Sequence, residues 1–246
     1  IKHVNNYVKI DHEFTIKLLK PYCKNGNINI VKYLHKEIEL TRKNFQSNNN
    51  KACRAACKYG HIDIVKYLHK EIGLTKQYFQ SYGNYACQAA CYNGHIDVVK
   101  YLHQEIKLTK EDFQSYNNHA CRFACHYGHI DVVKYLHKEI GLMKEDFQSF
   151  DNEACQWACR CGNIDVIRYL HQEIGLLKED FQSYNNYACR LACHFGHLNV
   201  VKYLYLEIRL TKEDFQVNNN YAYNNALENK HSKVVKYLLN TINIFS

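Results

Sequence analysis

Pairs of cysteines one helical turn apart are the residues with the most obvious chemistry in this 246-residue chain. Cys53/Cys57, Cys87/Cys91, Cys121/Cys125, Cys155/Cys159 and Cys189/Cys193 recur in register, Cys23 matches the second member of a pair, and Cys161 is additional. Two thiolates at that spacing could bind zinc with help from a neighbouring copy. Each pair alternates with alanines, however, as in Ala86, Cys87, Ala90 and Cys91, and a free cysteine packs as a small hydrophobe. The last copy holds Tyr223 and Leu227 at the same places, which is packing chemistry. A disulfide between cysteines a turn apart on an intact helix is poorly aimed. The expectation is buried, reduced thiols without metal, which suits a cytoplasmic or nuclear setting.

Histidines form two ladders. His61, His95, His129, His197 and His231 follow a turn residue, with Asn163 in the gap. His35, His69, His103, His137 and His171 fall inside an apolar segment. Stacked helices lie about 8–10 Å apart, too far for one metal to join single histidines of adjacent copies. The first ladder is expected to cap or order its turn. No nucleophile, acid and base come together in one singular constellation, and phosphate-loop, dinucleotide and His-Glu-x-x-His patterns are absent. The chain reads as a non-enzyme without cofactor.

The net charge is +8. Lys66, Lys100, Lys134, Arg168, Lys202 and Lys236 make a basic row that could meet phosphates, but Glu71, Glu105, Glu139, Glu173 and Glu207 make an acidic row beside it. A mixed solvated face is the simpler reading. It argues against nucleic acid, and the net charge points to acidic protein partners. No apolar run is long enough to span a membrane, and residues 1–10 show no signal-peptide pattern.

The elements that must place these residues repeat with a fixed period. Gly26, Gly60, Gly94, Gly128, Gly162 and Gly196 are 34 residues apart, and Lys230 holds the seventh place. Such a period means stacked units that cannot bury their apolar faces alone. With a single proline there is no sign of a linker. One domain over residues 1–246 is expected, of about seven units, with a capping unit after Gln216. Each unit offers three helical pieces. The first, as in residues 85–93, has small residues on one side and Asn84 placed to cap it. The second, as in residues 96–105, carries Ile96, Val99, Tyr101, Leu102 and Ile106 on one face. The third is short. Thr109 and Asp112 have capping-box spacing, and Phe113, like Phe45, Phe79, Phe147, Phe181 and Phe215, is its anchor.

The block Gly128-His129-Ile130-Asp131-Val132-Val133-Lys134-Tyr135-Leu136, preceded by the small-residue helix, resembles the ankyrin repeat, and the likeness covers nearly the whole chain. The resemblance implies an all-α ankyrin-like solenoid of antiparallel helix pairs that binds a protein partner on the concave face of its first helices. The family's Thr-Pro-Leu-His segment is replaced, for example by Tyr85-Ala86-Cys87-Gln88. The loop after the second helix holds Gly73, Gly141 or Gly175 but also Glu39, Lys107 or Arg209, so a strict left-handed glycine is not required there. A short third helical turn is expected in place of the family's hairpins. The Asn-, Lys-, Ile- and Tyr-rich wording resembles arrays from giant amoeba-infecting DNA viruses, which would make the partner a host protein.

Differences between units separate scaffold from candidate recognition surface. Phe123 and Trp157 are large aromatics where other units carry Ala55 or Ala89, and aromatics and arginine are common binding anchors. With Arg122, Arg160, Arg190, Tyr92, His126, Tyr127 and His194 they form the candidate partner-binding set of a monomeric scaffold. Filling gaps between helices would also account for some of them. The alternatives are nucleic-acid binding through the basic row and a structural, self-assembling role.

Overall fold

A computed structural model describes residues 12–245, which form helices joined by turns, with no strand among the described residues. Residues 1–10, read above for a signal peptide, lie outside them. The chain is an all-α repeat solenoid. It falls into two compact units, one ending at Asp112 and one beginning at Phe113. No helix among the described residues is long and apolar enough to cross a membrane.

The second helices run Ile28–Lys36, Ile62–Lys70, Ile96–Gln104, Ile130–Lys138, Ile164–Gln172, Leu198–Leu206 and Ser232–Tyr237. In the five central ones the third and fourth residues, the sixth and the seventh are buried, as in Val132, Val133, Tyr135 and Leu136, which gives each an apolar stripe at helical spacing. The first helices occupy Ser47–Lys58, Ser81–Tyr92 and Ser149–Cys161, or the later part of Lys110–His126, Lys178–His194 and Lys212–Glu228. Their Ala-Cys faces are buried, with no accessible surface at Ala154, Cys155, Ala158 and Cys159, whereas in Lys212–Glu228 Leu227, at the place of the second cysteine, is exposed. Within each unit these helices pack on one another, where only small side chains leave room. Eleven cysteines are buried free thiols, and Cys161 is exposed. Burial pushes the Cys87, Cys121, Cys155 and Cys193 thiols far above their ordinary pKa, which keeps them protonated and unreactive.

The third piece behaves as its spacing predicts. Phe45, Phe79, Phe113, Phe147, Phe181 and Phe215 are all fully buried. Asp112 Oδ2 accepts from the Thr109 backbone N–H at 2.8 Å, and Asp180 and Asp214 do the same for Leu177 and Thr211 at 2.7 Å. The carboxylate also ties consecutive repeats together, because its Oδ1 accepts from a glutamine of the repeat before. These bonds are Gln80 to Asp112 at 2.8 Å, and Gln148 to Asp180 and Gln182 to Asp214 at 2.7 Å.

Two turns take left-handed backbone, the first of them with or without glycine, as its sequence allows. The third residue after each of the first six second helices is left-handed, at Gly73, Gly141 and Gly175 (φ +74 to +81) and equally at Glu39, Lys107 and Arg209 (φ +58 to +64). The turn geometry is thus kept where glycine is absent, at about 1–2 kcal/mol per non-glycine residue. The second turn was not foreseen. Three consecutive left-handed residues kink the chain near the start of each of these first-helix segments, and the regular helix begins after them: Asn48–Asn50, 82–84, 116–118, 150–152, 184–186 and 218–220, as with Tyr184, Asn185 and Asn186 at φ +55 each. Asn84, expected to cap the next helix through its side chain, is the last of its triplet, and its Oδ1 is buried without a hydrogen bond. Asparagine tolerates this region better than other residues with a Cβ. A side chain from the helix that follows braces each triplet: Arg54 Nε donates to the Asn49 carbonyl at 2.9 Å, Arg122 Nε to Asn117 at 2.8 Å, Arg190 Nε to Asn185 at 3.0 Å and Asn224 Nδ2 to Asn219 at 3.0 Å.

Candidate functional site

The ladder of histidines after the turn residue orders a turn, as anticipated, but the turn belongs to the preceding repeat. His61 Nε2 lies 2.7 Å from the Lys24 carbonyl, His95 Nε2 3.0 Å from Lys58, His197 Nε2 2.8 Å from Arg160 and His231 Nε2 3.0 Å from His194. As donors they satisfy carbonyls left open at a helix C-terminus. Asn163 does the same work, donating through Nδ2 to the His126 and Cys125 carbonyls at 2.7 and 3.1 Å. The second ladder reaches forward. His35, His69, His137 and His171 pair through Nδ1 with the hydroxyls of Tyr67, Tyr101, Tyr169 and Tyr203 at 2.8–3.0 Å. Both ladders are structural cement. Among the described residues no group of three or more His, Cys, Asp or Glu is placed to hold a metal ion.

Most of the candidate residues of the second unit gather along its first-helix face. Phe123, on the helix Lys110–His126, stacks on His119 with ring centroids 4.1 Å apart and lies 6.0 Å from Trp157 of the next helix. His126 bridges them, stacked on Tyr127 at 4.3 Å and tilted against Trp157 at 4.1 Å. The Arg160 guanidinium sits between two rings, 5.4 Å from Trp157 and 5.2 Å from Phe195. Phe123, His126 and Trp157 are half-buried, while Tyr127 and Phe195 are 44% and 38% exposed, so the cluster presents ring surface to solvent. Helical spacing explains the gathering: residues 119, 123 and 126 share one face of a helix, as do 157 and 160 of the next.

Other candidates are placed differently. Tyr92 is half-buried on the helix Ser81–Tyr92 of the first unit. Arg122 and Arg190 are only 8% and 9% exposed, because both brace left-handed triplets. Arg122 also pairs with Glu153 and lies over the Phe150 ring at 4.7 Å. His194 Nδ1 is bonded to Asn225 Oδ1 at 2.7 Å. Tyr187, Phe195 and Tyr221 were not in the candidate set. The signal for them was present in the sequence as aromatic residues at varying first-helix positions.

Burial, and secondarily the Arg160 charge, lowers the His126 pKa to about 4, and burial followed by Arg122 lowers that of His119. Their Nδ1 atoms are buried without a hydrogen bond. For a base with a lowered folded pKa, the unfolded chain binds more protons, so stability rises with pH across the window. The contribution of neutral His126 is therefore complete above the unfolded value of about 6.5 and is lost as pH falls toward 4. Thermal melts followed by the emission of Trp157, the one tryptophan, should show a falling midpoint across that window. His126→Phe should flatten the fall, and an unchanged slope would show that His126 does not carry the effect.

Ankyrin repeats (3 copies) is the family model that matches this chain, over residues 19–112 and again over 53–146, together just over half of its length. No curated protein matches it significantly. Ankyrin repeats are generally protein–protein interaction modules. With its helix pairs, its turn glycines and this match, the chain belongs to the ankyrin-repeat family.

Proposed function

We propose that this protein is a non-catalytic scaffold that binds a protein partner on the first-helix face of its second unit. The cluster of Phe123, His126, Tyr127 and Trp157, continued by Arg160 and Phe195, is the observation that carries the reading. Scaffold side chains recur from repeat to repeat, whereas Phe123 and Trp157 stand where the first unit has Ala55 and Ala89. Half-buried aromatics flanked by arginine are typical of residues that dominate interface energies. Arg122 and Arg190 enter this reading as braces that hold the face in shape, and Tyr92 is not needed for it.

The second-helix rows support a solvated face. Lys66, Lys134 and Lys202 lie over tyrosine rings at 5.7–6.0 Å, and Lys138 pairs with Glu173 at 3.6 Å. Their charges are interleaved with acids and do not form the unbroken basic stripe that phosphate binding uses.

A pull-down from native-cell lysate with the wild-type chain beside a Phe123→Ala/Trp157→Ala double variant tests the reading. Removal of two anchor side chains should weaken capture by about 30-fold or more, given about 1–2 kcal/mol for each. A circular dichroism melt of the variant checks that the fold survives. Equal capture by a folded double variant would reject the face.

A further inference from the structure

The three arginines that brace left-handed triplets are not in equivalent electrostatic settings. Arg122 has an internal anion, because Glu153 of the next repeat pairs with its Nη1. One residue type differs at Arg190. The place equivalent to Glu153, two 34-residue periods on, holds Tyr221. Arg190 spends Nε and Nη2 on the Asn185 and Tyr184 carbonyls, and its flat faces meet the rings of Tyr187 and Tyr221 at 5.0 and 5.1 Å. Its Nη1 makes no hydrogen bond among the described residues. A cavity of about 230 Å³ opens there, lined by Arg160, Tyr187, Arg190, His194, Phe195 and Tyr221 among others and by no carboxylate. Arg160, exposed at its rim, has aromatic neighbours and no acidic ion-pair partner among the described residues.

The same arrangement occurs four periods earlier, in the first unit. Arg54 braces its triplet and lies 5.4 Å from the ring of Tyr85, which takes the place of Glu153. The cavity beside it, about 170 Å³, is lined by Lys20, Lys51, Arg54, Lys58 and Tyr85 among others, again without a carboxylate.

We propose that the Arg190 pocket, and its counterpart at Arg54, each receive a carboxylate from an acidic peptide segment, the group that Glu153 supplies internally at Arg122. The inference rests on the partner-binding reading above and gives it a partner chemistry: Asp- or Glu-bearing protein segments. The Arg122–Glu153 pair shows that this backbone frame holds a carboxylate against the guanidinium. An arginine whose fork is half used and whose surroundings hold no anion is left with directional donors for one. The rings on both sides limit its motion and exclude water, which strengthens such a bond.

The test is a titration of the full chain, ¹⁵N-labelled at arginine, with acetyl-tetraglutamate amide. Nε–Hε resonances are followed by NMR, with acetyl-tetraglutamine amide as the neutral control. The Arg54 and Arg190 signals should move with the glutamate peptide in the millimolar range, and the Arg122 signal should stay. Tyr221→Glu should weaken the Arg190 response by about tenfold or more by supplying an internal carboxylate, while Tyr221→Gln leaves it in place. The Arg54 response in the same sample reports that the chain is folded. Equal movement of all three arginines, no movement, or an undiminished Arg190 response in Tyr221→Glu would overturn the proposal. A stronger response to a phosphoserine peptide or to an oligothymidylate would overturn the carboxylate assignment. Partner capture that requires Phe123 and Trp157 yet ignores Tyr221→Glu would retain the binding face and reject this pocket. Capture that ignores both would reject the two together.

Discussion

Gly162→Ala is expected to destabilise the second unit by roughly 2–4 kcal/mol, more than a surface helix substitution would. Two effects add. Gly162 ends the helix Ser149–Cys161 with φ +74, where a side chain costs about 1–2 kcal/mol. A Cβ there would also sit 2.6 Å from His197 Nδ1, because the His197 ring lies against the turn to reach the Arg160 carbonyl. Gly141→Ala separates the two effects. Its φ is +80, yet nothing lies within 4 Å of its added Cβ, so it should show the backbone penalty alone, about 1 kcal/mol. Urea unfolding of both variants gives the comparison. Equal losses would mean that the close approach of His197 has no energetic weight. A Gly162→Ala/His197→Ala pair provides the further check, since the second change removes the clash and the two should be strongly non-additive.

Phe181→Ala should be more damaging, by about 3–5 kcal/mol. Phe181 is fully buried and meets the edge of His171 at 6.3 Å with rings nearly perpendicular. The site has little means of collapse. Asp180 beside it is fixed by the Leu177 N–H and by Gln148, and the segment that follows is the braced left-handed triplet. Neighbours that cannot move leave a cavity, and cavity volume sets the size of the loss. Phe181→Leu, which keeps most of the volume, should lose less than half as much. A loss below about 1.5 kcal/mol for the alanine variant in equilibrium unfolding would show that the short helices are replaceable connectors and not anchors.

Much of the architecture was legible because period and polarity are properties of the sequence itself. The 34-residue spacing of the turn glycines gave the helix pairs, the Ala-Cys alternation gave the small-residue interface, and the phenylalanine in each third segment gave the buried anchor. Backbone handedness was harder to read. Glu39, Lys107 and Arg209 release their turn from glycine but not from the left-handed region, where neighbouring hydrogen bonds hold them, for example Ile208 N–H to the Tyr203 carbonyl and Leu210 N–H to the Leu204 carbonyl. The triplets carried a sequence signal that periodicity does not weigh: Asn50, Asn84, Asn118, Asn152, Asn186 and Asn220 close every one. For the candidate site, comparison of units singled out Phe123, Trp157 and Arg160 because they differ. It did not show that Arg122 and Arg190 also brace the left-handed triplets, because a brace and an anchor can be the same residue type, and only hydrogen bonds to carbonyls reveal the bracing.

The backward reach of the post-turn histidines gives the array a direction. The helix His12–Lys24 is closed by His61, which belongs to the repeat after it, and the helix ending at His194 is closed by His231. A cut between repeats is therefore unequal on its two sides. Both sides give up the His–Tyr and Gln–Asp bonds between repeats, but the fragment that ends there also loses the group that finishes its last first helix, while the fragment that begins there keeps its own helix ends closed and loses an acceptor for a histidine that water can serve. Lengthening such a chain by duplication meets the same asymmetry, since each copy arrives carrying the closure for its predecessor and lacking its own.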